Sequence, residues 1–172
     1  MRFWKLFLPT VLMLATLSGC GYRLAARKGD VGAGKTMAVP TFTNASLGYR
    51  IEQRMSEAIR RELAQNTHYR VTSGETGDVV LKGEVLGYGT GPTAFDNQGR
   101  ASQYAISVTL KVVVTESATS KALFRNDSMT FLDTFQLSQT AGDFVPEDPA
   151  ALDRLAARFA SAIVADLVHR TP

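Results

Sequence analysis

The one thiol of this 172-residue chain, Cys20, closes the run Leu17-Ser18-Gly19-Cys20. Two small residues ahead of a cysteine leave room for a peptidase to cut, and the thiol can carry a thioether to diacylglycerol. The four residues match the lipobox pattern Leu-(Ala/Ser)-(Gly/Ala)-Cys. A second run, Gly29-Asp30-Val31-Gly32-Ala33-Gly34-Lys35-Thr36, fits the phosphate-loop pattern G-x-x-x-x-G-K-(S/T) letter for letter. Such a loop works when a strand leads in and a helix follows, because the helix N-terminus then aims its N–H groups at phosphate. Here the lead-in hangs from Cys20, and Met37-Ala38-Val39-Pro40 reads as a strand, so the run is expected to be a glycine-rich tether and not a nucleotide site. His68 and His169 lie far apart and Cys20 is the only thiol, too few donors for a zinc site. Nothing selects either histidine for a Ser-His-Asp arrangement, and both are expected at the surface. The acids show no spacing that singles out a catalytic pair. No metal, no cofactor beyond covalent lipid and no enzymatic activity are expected.

The segment that must deliver Cys20 has a positive start at Arg2 and Lys5, then a mostly apolar stretch over residues 6–17. A membrane-spanning helix needs about 20 apolar residues, so this stretch reads as a signal peptide, residues 1–19, that is removed. Diacylglycerol and an N-acyl chain on Cys20 then anchor the protein to a membrane without spanning it. Gly21, in place of an aspartate, points to sorting to the outer membrane, with the domain on the periplasmic side. Cleavage removes Arg2 and Lys5 and no acid, leaving 17 Lys and Arg against 16 Asp and Glu, about +1 where the whole sequence carries +3. Bases and acids are interspersed, which argues against a nucleic-acid partner, since that needs a concentrated positive face. No disulfide can form within the mature chain, so packing must stabilise it.

Residues 20–35 read as a lipidated tether, with Gly29, Gly32 and Gly34 among charges. Residues 36–172 read as one domain of a size that buries a real core. Residues 36–42 predict a short strand with an edge or bulge at Pro40, which has no N–H to donate. Asn44 or Ser46 is expected to cap a helix running to about Asn66, with Ile51, Met55, Ile59 and Leu63 inward, and with Ser56, Glu57 and Arg61 outward, the last two pairing four apart. Residues 69–72 predict a brief strand, and Val79, Leu81, Val85 and Tyr88 a second strand region. Residues 87–102 predict a long loop carrying Phe95 and Arg100; a loop of that length is usually functional or disordered, and a floppy hairpin tip with one packed aromatic stands as the alternative. Tyr104, Ile106, Val108, Leu110, Val112 and Val114 alternate with Ala105, Ser107, Thr109, Lys111, Val113 and Thr115, the pattern of a half-buried strand. Residues 116–121 predict a turn and 122–132 the partner strand. Asp148-Pro149 opens a C-terminal helix with Leu152, Leu155, Phe159, Ile163 and Leu167 inward. These elements predict an α+β two-layer sandwich: a mixed, mostly antiparallel sheet of four to five strands covered by two helices.

Cys20-Gly21-Tyr22-Arg23-Leu24, then Ala38-Val39-Pro40-Thr41-Phe42-Thr43-Asn44, then the helix with Ile51, Glu52 and Leu63, then Thr93-Ala94-Phe95-Asp96-Asn97-Gln98-Gly99-Arg100 before Tyr104 and the alternating strand, follow one another in a telling order. In that order and spacing nearly all of the mature chain resembles the LPS-assembly lipoprotein family, LptE, whose pattern opens C-G-(Y/W)-x-L and continues xVPxFxN. The resemblance implies a plug-like partner of the LptD β-barrel that helps the barrel fold. The pair would place lipopolysaccharide in the outer leaflet, and the lipoprotein would contact that lipid. It makes Arg100, at the family's Gly-Arg step, the candidate anion contact; Phe95, an aromatic that a long loop would leave in water, is a candidate contact for an acyl chain or partner. The chain departs from relatives at Asp96, an acid where some carry a base, and over residues 139–147, which hold no Lys or Arg. The first strand also resembles lipoproteins of curli-secretion type, so a structural or chaperone lipoprotein of another outer-membrane pore, secretin or curli-type, stands as the alternative.

Overall fold

The computed structural model describes residues 31–136 and 149–170; Cys20, the signal segment and Asp148 lie outside them. The alternating pattern becomes the central strand of the sheet. β5 (Ala101–Glu116) buries Ile106, Val108, Leu110, Val112 and Val114 and leaves the residues between them half-exposed. Around it stand β1 (Thr36–Ala38), β2 (Thr43–Asn44), α1 (Ile51–Asn66), β3 (Arg70–Thr72), β4 (Val79–Phe95), β6 (Ala122–Gln136) and α2 (Pro149–Arg170). The strand order is β3-β1-β4-β5-β6, with β2 also pairing β4. β1 runs parallel to β3 and β4, and β2 runs parallel to β4, while β4-β5-β6 is an antiparallel meander. Both helices cover one face, as an α+β two-layer sandwich requires. Leu152, Leu155, Phe159, Ile163 and Leu167 of α2 are all buried, as are Ile51, Met55, Ile59 and Leu63 of α1. Phe159 sits edge-on to both Phe42 and Phe131, tying the first strand, α2 and β6 into one aromatic core.

The sheet has six strands, where four to five were expected, because one strand is broken in two. Pro40 has no N–H to give, and β1 and β2 are the pieces on either side of it, both against the same edge of β4. Helix α1 supplies the missing hydrogen bonds: Ser56 Oγ accepts from the Phe42 N–H at 2.8 Å, and Arg60 Nε donates to the Val39 carbonyl at 2.9 Å. Ser56, expected on the wet face, is therefore fully buried. The Phe42 ring lies flat on Gly83, where any Cβ would overlap it.

Three further expectations change. Helix α1 begins at Ile51, after Arg50 in a left-handed conformation (φ 56°), with no side-chain cap. Asn44 instead holds the preceding turn, donating to the Gly48 carbonyl and to Glu52, both at 2.8 Å, and accepting from the N–H and hydroxyl of Ser46. Glu57 and Arg61 form no ion pair with each other, although both are exposed. The expected loop over residues 87–102 is mostly ladder: β4 runs on to Phe95 and β5 starts at Ala101. Gly87, Gly89, Gly91 and Pro92 hid that strand, since glycines carry no alternation and proline argues against a strand. Beyond Val85 no described strand pairs the other edge of β4, so the missing N–H of Pro92 falls where a sheet tolerates it.

The tether's last five residues, 31–35, are docked on the domain. Val31 accepts from the His68 N–H, Lys35 accepts from the Arg70 N–H, and a turn joins the Lys35 N–H to the Gly32 carbonyl. A strand, β1, follows this run where a phosphate loop needs a helix. Gly32 is buried against the Tyr69 ring at φ 83°, so a Cβ there meets both the ring and an unfavourable backbone. Gly32→Ala is expected to lower stability by about 1–2 kcal/mol from the backbone alone, and by more from the clash. Lys35, in an exposed pair with Glu116 at 3.5 Å, is expected to be replaceable by alanine without change in thermal midpoint, because solvent screens such pairs. Saturable ATP binding lost in Lys35→Ala would overturn this reading of the motif.

Candidate interaction surface

The same alternation that buries one face of β5 leaves the other face of the sheet uncovered by any described element. Ser107, Thr109, Lys111, Val113 and Thr115 line it along β5, and register sets Thr130 and Leu132 of β6 and Gly87 and Gly89 of β4 beside them. The Thr109 and Thr130 hydroxyls hydrogen-bond across the strands at 3.0 Å. Leu86, the extra residue at a register shift between Val85 and Gly87, and Leu132 are exposed apolar groups on this polar face. Lys82, Glu84 and Lys111 charge its other end, where they line a shallow cavity of about 270 Å³ with Pro40 and Thr41.

At the far end, β4 and β5 close in a tight turn. Phe95 is the last residue of β4 and is 62% exposed. Asp96 organises the turn: its carboxylate accepts from the N–H of Gln98 at 2.8 Å, the N–H of Arg100 at 2.9 Å and the Arg100 guanidinium at 2.9 Å. Gly99 takes the positive φ (75°) that lets the chain reverse. The Arg100 N–H above all, with that of Gln98 and the guanidinium, holds the Asp96 carboxyl below its ordinary range. A depressed carboxyl stabilises the turn at neutral pH and loses that contribution only as pH falls through the lowered value. Arg100 thus has its charge matched by Asp96 within the turn, and Phe95 is the group at the tip left unsatisfied by water.

The structure brings Phe95 and Arg100 together and places neither near a histidine. His68 is exposed between α1 and β3, and His169 is exposed near the end of α2. Among the described residues no three of His, Cys, Asp and Glu gather closely enough to hold a metal ion. No helix among them is long and apolar enough to cross a membrane.

Sequence reasoning missed the turn before α1, where Leu47 is fully exposed and Tyr49 is 73% exposed. The expected cap at Asn44 or Ser46 would have made both residues helical. The available signal was Gly48, whose Cβ would strike Ile51 and Tyr88 and which therefore marks a close approach of backbone to core.

Comparison with known proteins gives one family and a set of distant structures. The family model described as "LptE: Lipopolysaccharide-assembly" matches residues 34–167. No curated protein matches the sequence at a significant level. Among solved structures, lipoprotein GNA1162 from Neisseria meningitidis is 15% identical, with 78% of this chain and 98% of that one covered at a TM-score of 0.45. The protein CT253 from Chlamydia trachomatis is 13% identical, covering 78% and 94% at a TM-score of 0.49. The rare lipoprotein B from Shewanella oneidensis is 10% identical, covering 74% and 96% at a TM-score of 0.45.

Proposed function

Because the chain belongs to the LptE lipopolysaccharide-assembly family, we propose that it is a non-enzymatic outer-membrane lipoprotein that partners an LptD-type β-barrel in delivering lipopolysaccharide to the outer leaflet. The observation that supports this most is the uncovered sheet face, continuous with the Phe95 tip. A two-layer domain that leaves one face of a 16-residue central strand bare, polar but set with Leu86, Val113 and Leu132, has surface for a partner to cover. Ser107, Thr109 and Thr130 suit the polar interior of a barrel, which is lined by such side chains. Phe95 at the tip suits an acyl chain or an apolar recess in the barrel. In this arrangement Arg100 acts by shaping the turn that presents Phe95. Its own anion contact would use only the guanidinium nitrogens that Asp96 leaves free.

Photo-crosslinkers at Phe95 and Thr109 in living cells are expected to capture a barrel protein, lipopolysaccharide, or both. The same group at Glu57, on the exposed face of α1, is expected to capture neither. Depletion of the protein is expected to admit bulky hydrophobic drugs, since lipopolysaccharide would no longer seal the outer leaflet. An intact barrier in depleted cells, with no capture from the sheet face or the tip, would remove the transport role.

A further inference from the structure

We infer that the turn carrying Leu47 and Tyr49, with the arginine-lined groove beside it, rests on the surface of a phospholipid bilayer containing anionic headgroups. The inference rests on the lipid-anchor reading and adds a second membrane contact, made by the folded domain itself. Leu47 is fully exposed and Tyr49 is 73% exposed. Neither is a floppy end: the Asn44 side chain fixes the turn through Gly48, Ser46 and Glu52. A rigid turn that holds a leucine and a tyrosine in water gains free energy when both enter the boundary between headgroups and acyl chains, where tyrosine is at home.

Beside the turn lies an open groove of about 600 Å³ lined by Tyr49, Arg50, Gln53, Arg54, Glu57, Arg61 and Asp153. Its three arginines outnumber its two acids. Arg54 is paired with Asp153 at 2.7 Å, while Arg61 makes no ion pair among the described residues. The Arg50 guanidinium lies 5.5 Å over the Tyr49 ring, which ties the charge to the apolar contact. Guanidinium groups fork onto phosphate oxygens, so apolar tips flanked by arginines match a lipid surface better than they match an apolar pocket.

The chain outside the described residues reaches far enough. Val31 enters the domain at the C-terminal end of α1, where its carbonyl meets the His68 N–H. The 16 residues of α1 put the Leu47 turn about 24 Å away at the other end. Residues 20–31, extended, span about 38 Å, so a chain anchored at Cys20 lets α1 lie along the surface with both ends in reach.

The test uses the mature chain expressed without residues 1–19 and with Cys20→Ser, so that no covalent lipid contributes. Trp4 is the only tryptophan and is absent from the mature chain, so Leu47→Trp provides a single reporter. Vesicles of phosphatidylethanolamine with phosphatidylglycerol are expected to shift its emission to the blue, and brominated acyl chains are expected to quench it. Arg50→Glu with Arg61→Glu is expected to weaken vesicle affinity about tenfold or more at low salt while leaving the fold intact by circular dichroism. Emission unmoved by these vesicles would overturn the inference, and so would binding that the two charge reversals leave unchanged. A shift seen with Phe95→Trp in place of Leu47→Trp would overturn it too, by moving the contact to the hairpin tip. Because neither a barrel nor lipopolysaccharide is present, these outcomes are independent of the transport assay above.

Discussion

Val108→Asp is expected to abolish the cooperative melt of this domain, and Thr109→Asp, its neighbour, is expected to melt close to the unsubstituted protein. Val108 is fully buried at the centre of β5, opposite Tyr88 on one side and Phe131 on the other, beneath the two helices. An aspartate there either keeps its charge without a partner or takes up a proton, and both routes cost several kcal/mol. A domain of this size has about 5–15 kcal/mol in total, and the lost valine contacts add to the deficit. Thr109 points the other way and is half-exposed. Its replacement gives up one hydroxyl contact with Thr130 and accepts a poorer strand former, together worth about 1 kcal/mol. Two variants one residue apart therefore differ by most of the stability of the fold. Urea melts read the difference directly, and equal midpoints would refute the assignment of faces. In cells the order of effects reverses in kind: Thr109→Asp folds, but puts a charge on the face proposed to meet the barrel.

Cys20→Ser is expected to leave the protein without incorporated acyl label, either unprocessed or, where it is cut, released from the membrane fraction. Each buried methylene contributes about 0.8 kcal/mol, so one acyl chain holds only marginally while two or three on a single cysteine hold effectively without return. Losing the thiol loses all of them together. The domain surface of Leu47, Tyr49 and the arginines is far too small to replace them, so any residual membrane association of the cleaved Cys20→Ser protein should be weak and salt-sensitive. Retention of the cleaved, mature-length protein in the membrane through a high-salt wash would place the anchor elsewhere.

Much of this architecture is written in periodicities that a single strand or helix imposes. The alternation about Val108 and the four-residue recurrence from Ile51 to Leu63 both describe a side facing the core, and each is decided by local burial. What the sequence hid depends on partners brought from elsewhere. The extension of β4 to Phe95 is held by the ladder to β5, and glycines in it erase the alternation that would announce a strand. Ser56 reads as an outward polar residue until the break at Pro40 presents an N–H for it to accept. Arg100 reads as a free cation until the turn brings the Asp96 carboxylate to it. The Leu47 turn was illegible for a related reason: Asn44 looks like a helix cap, and only the folded loop reveals that its side chain serves the turn instead.

The two long edges of the sheet are treated differently, and the difference bears on pairing between copies of the protein. On β6, Arg158 donates to the Leu132 carbonyl and Arg154 to the Thr134 carbonyl, with Asp133 drawing both guanidinium groups inward. Each of those carbonyls already holds a guanidinium donor, and the two arginine side chains stand against this edge. On β4, no described strand meets the backbone past Val85. Growth of a sheet from molecule to molecule needs two free edges on each copy, each with its row of unpaired N–H and C=O groups. Arginines set against one edge hinder such growth. A domain with one face of its sheet uncovered is in this way guarded along one edge against pairing with its own copies.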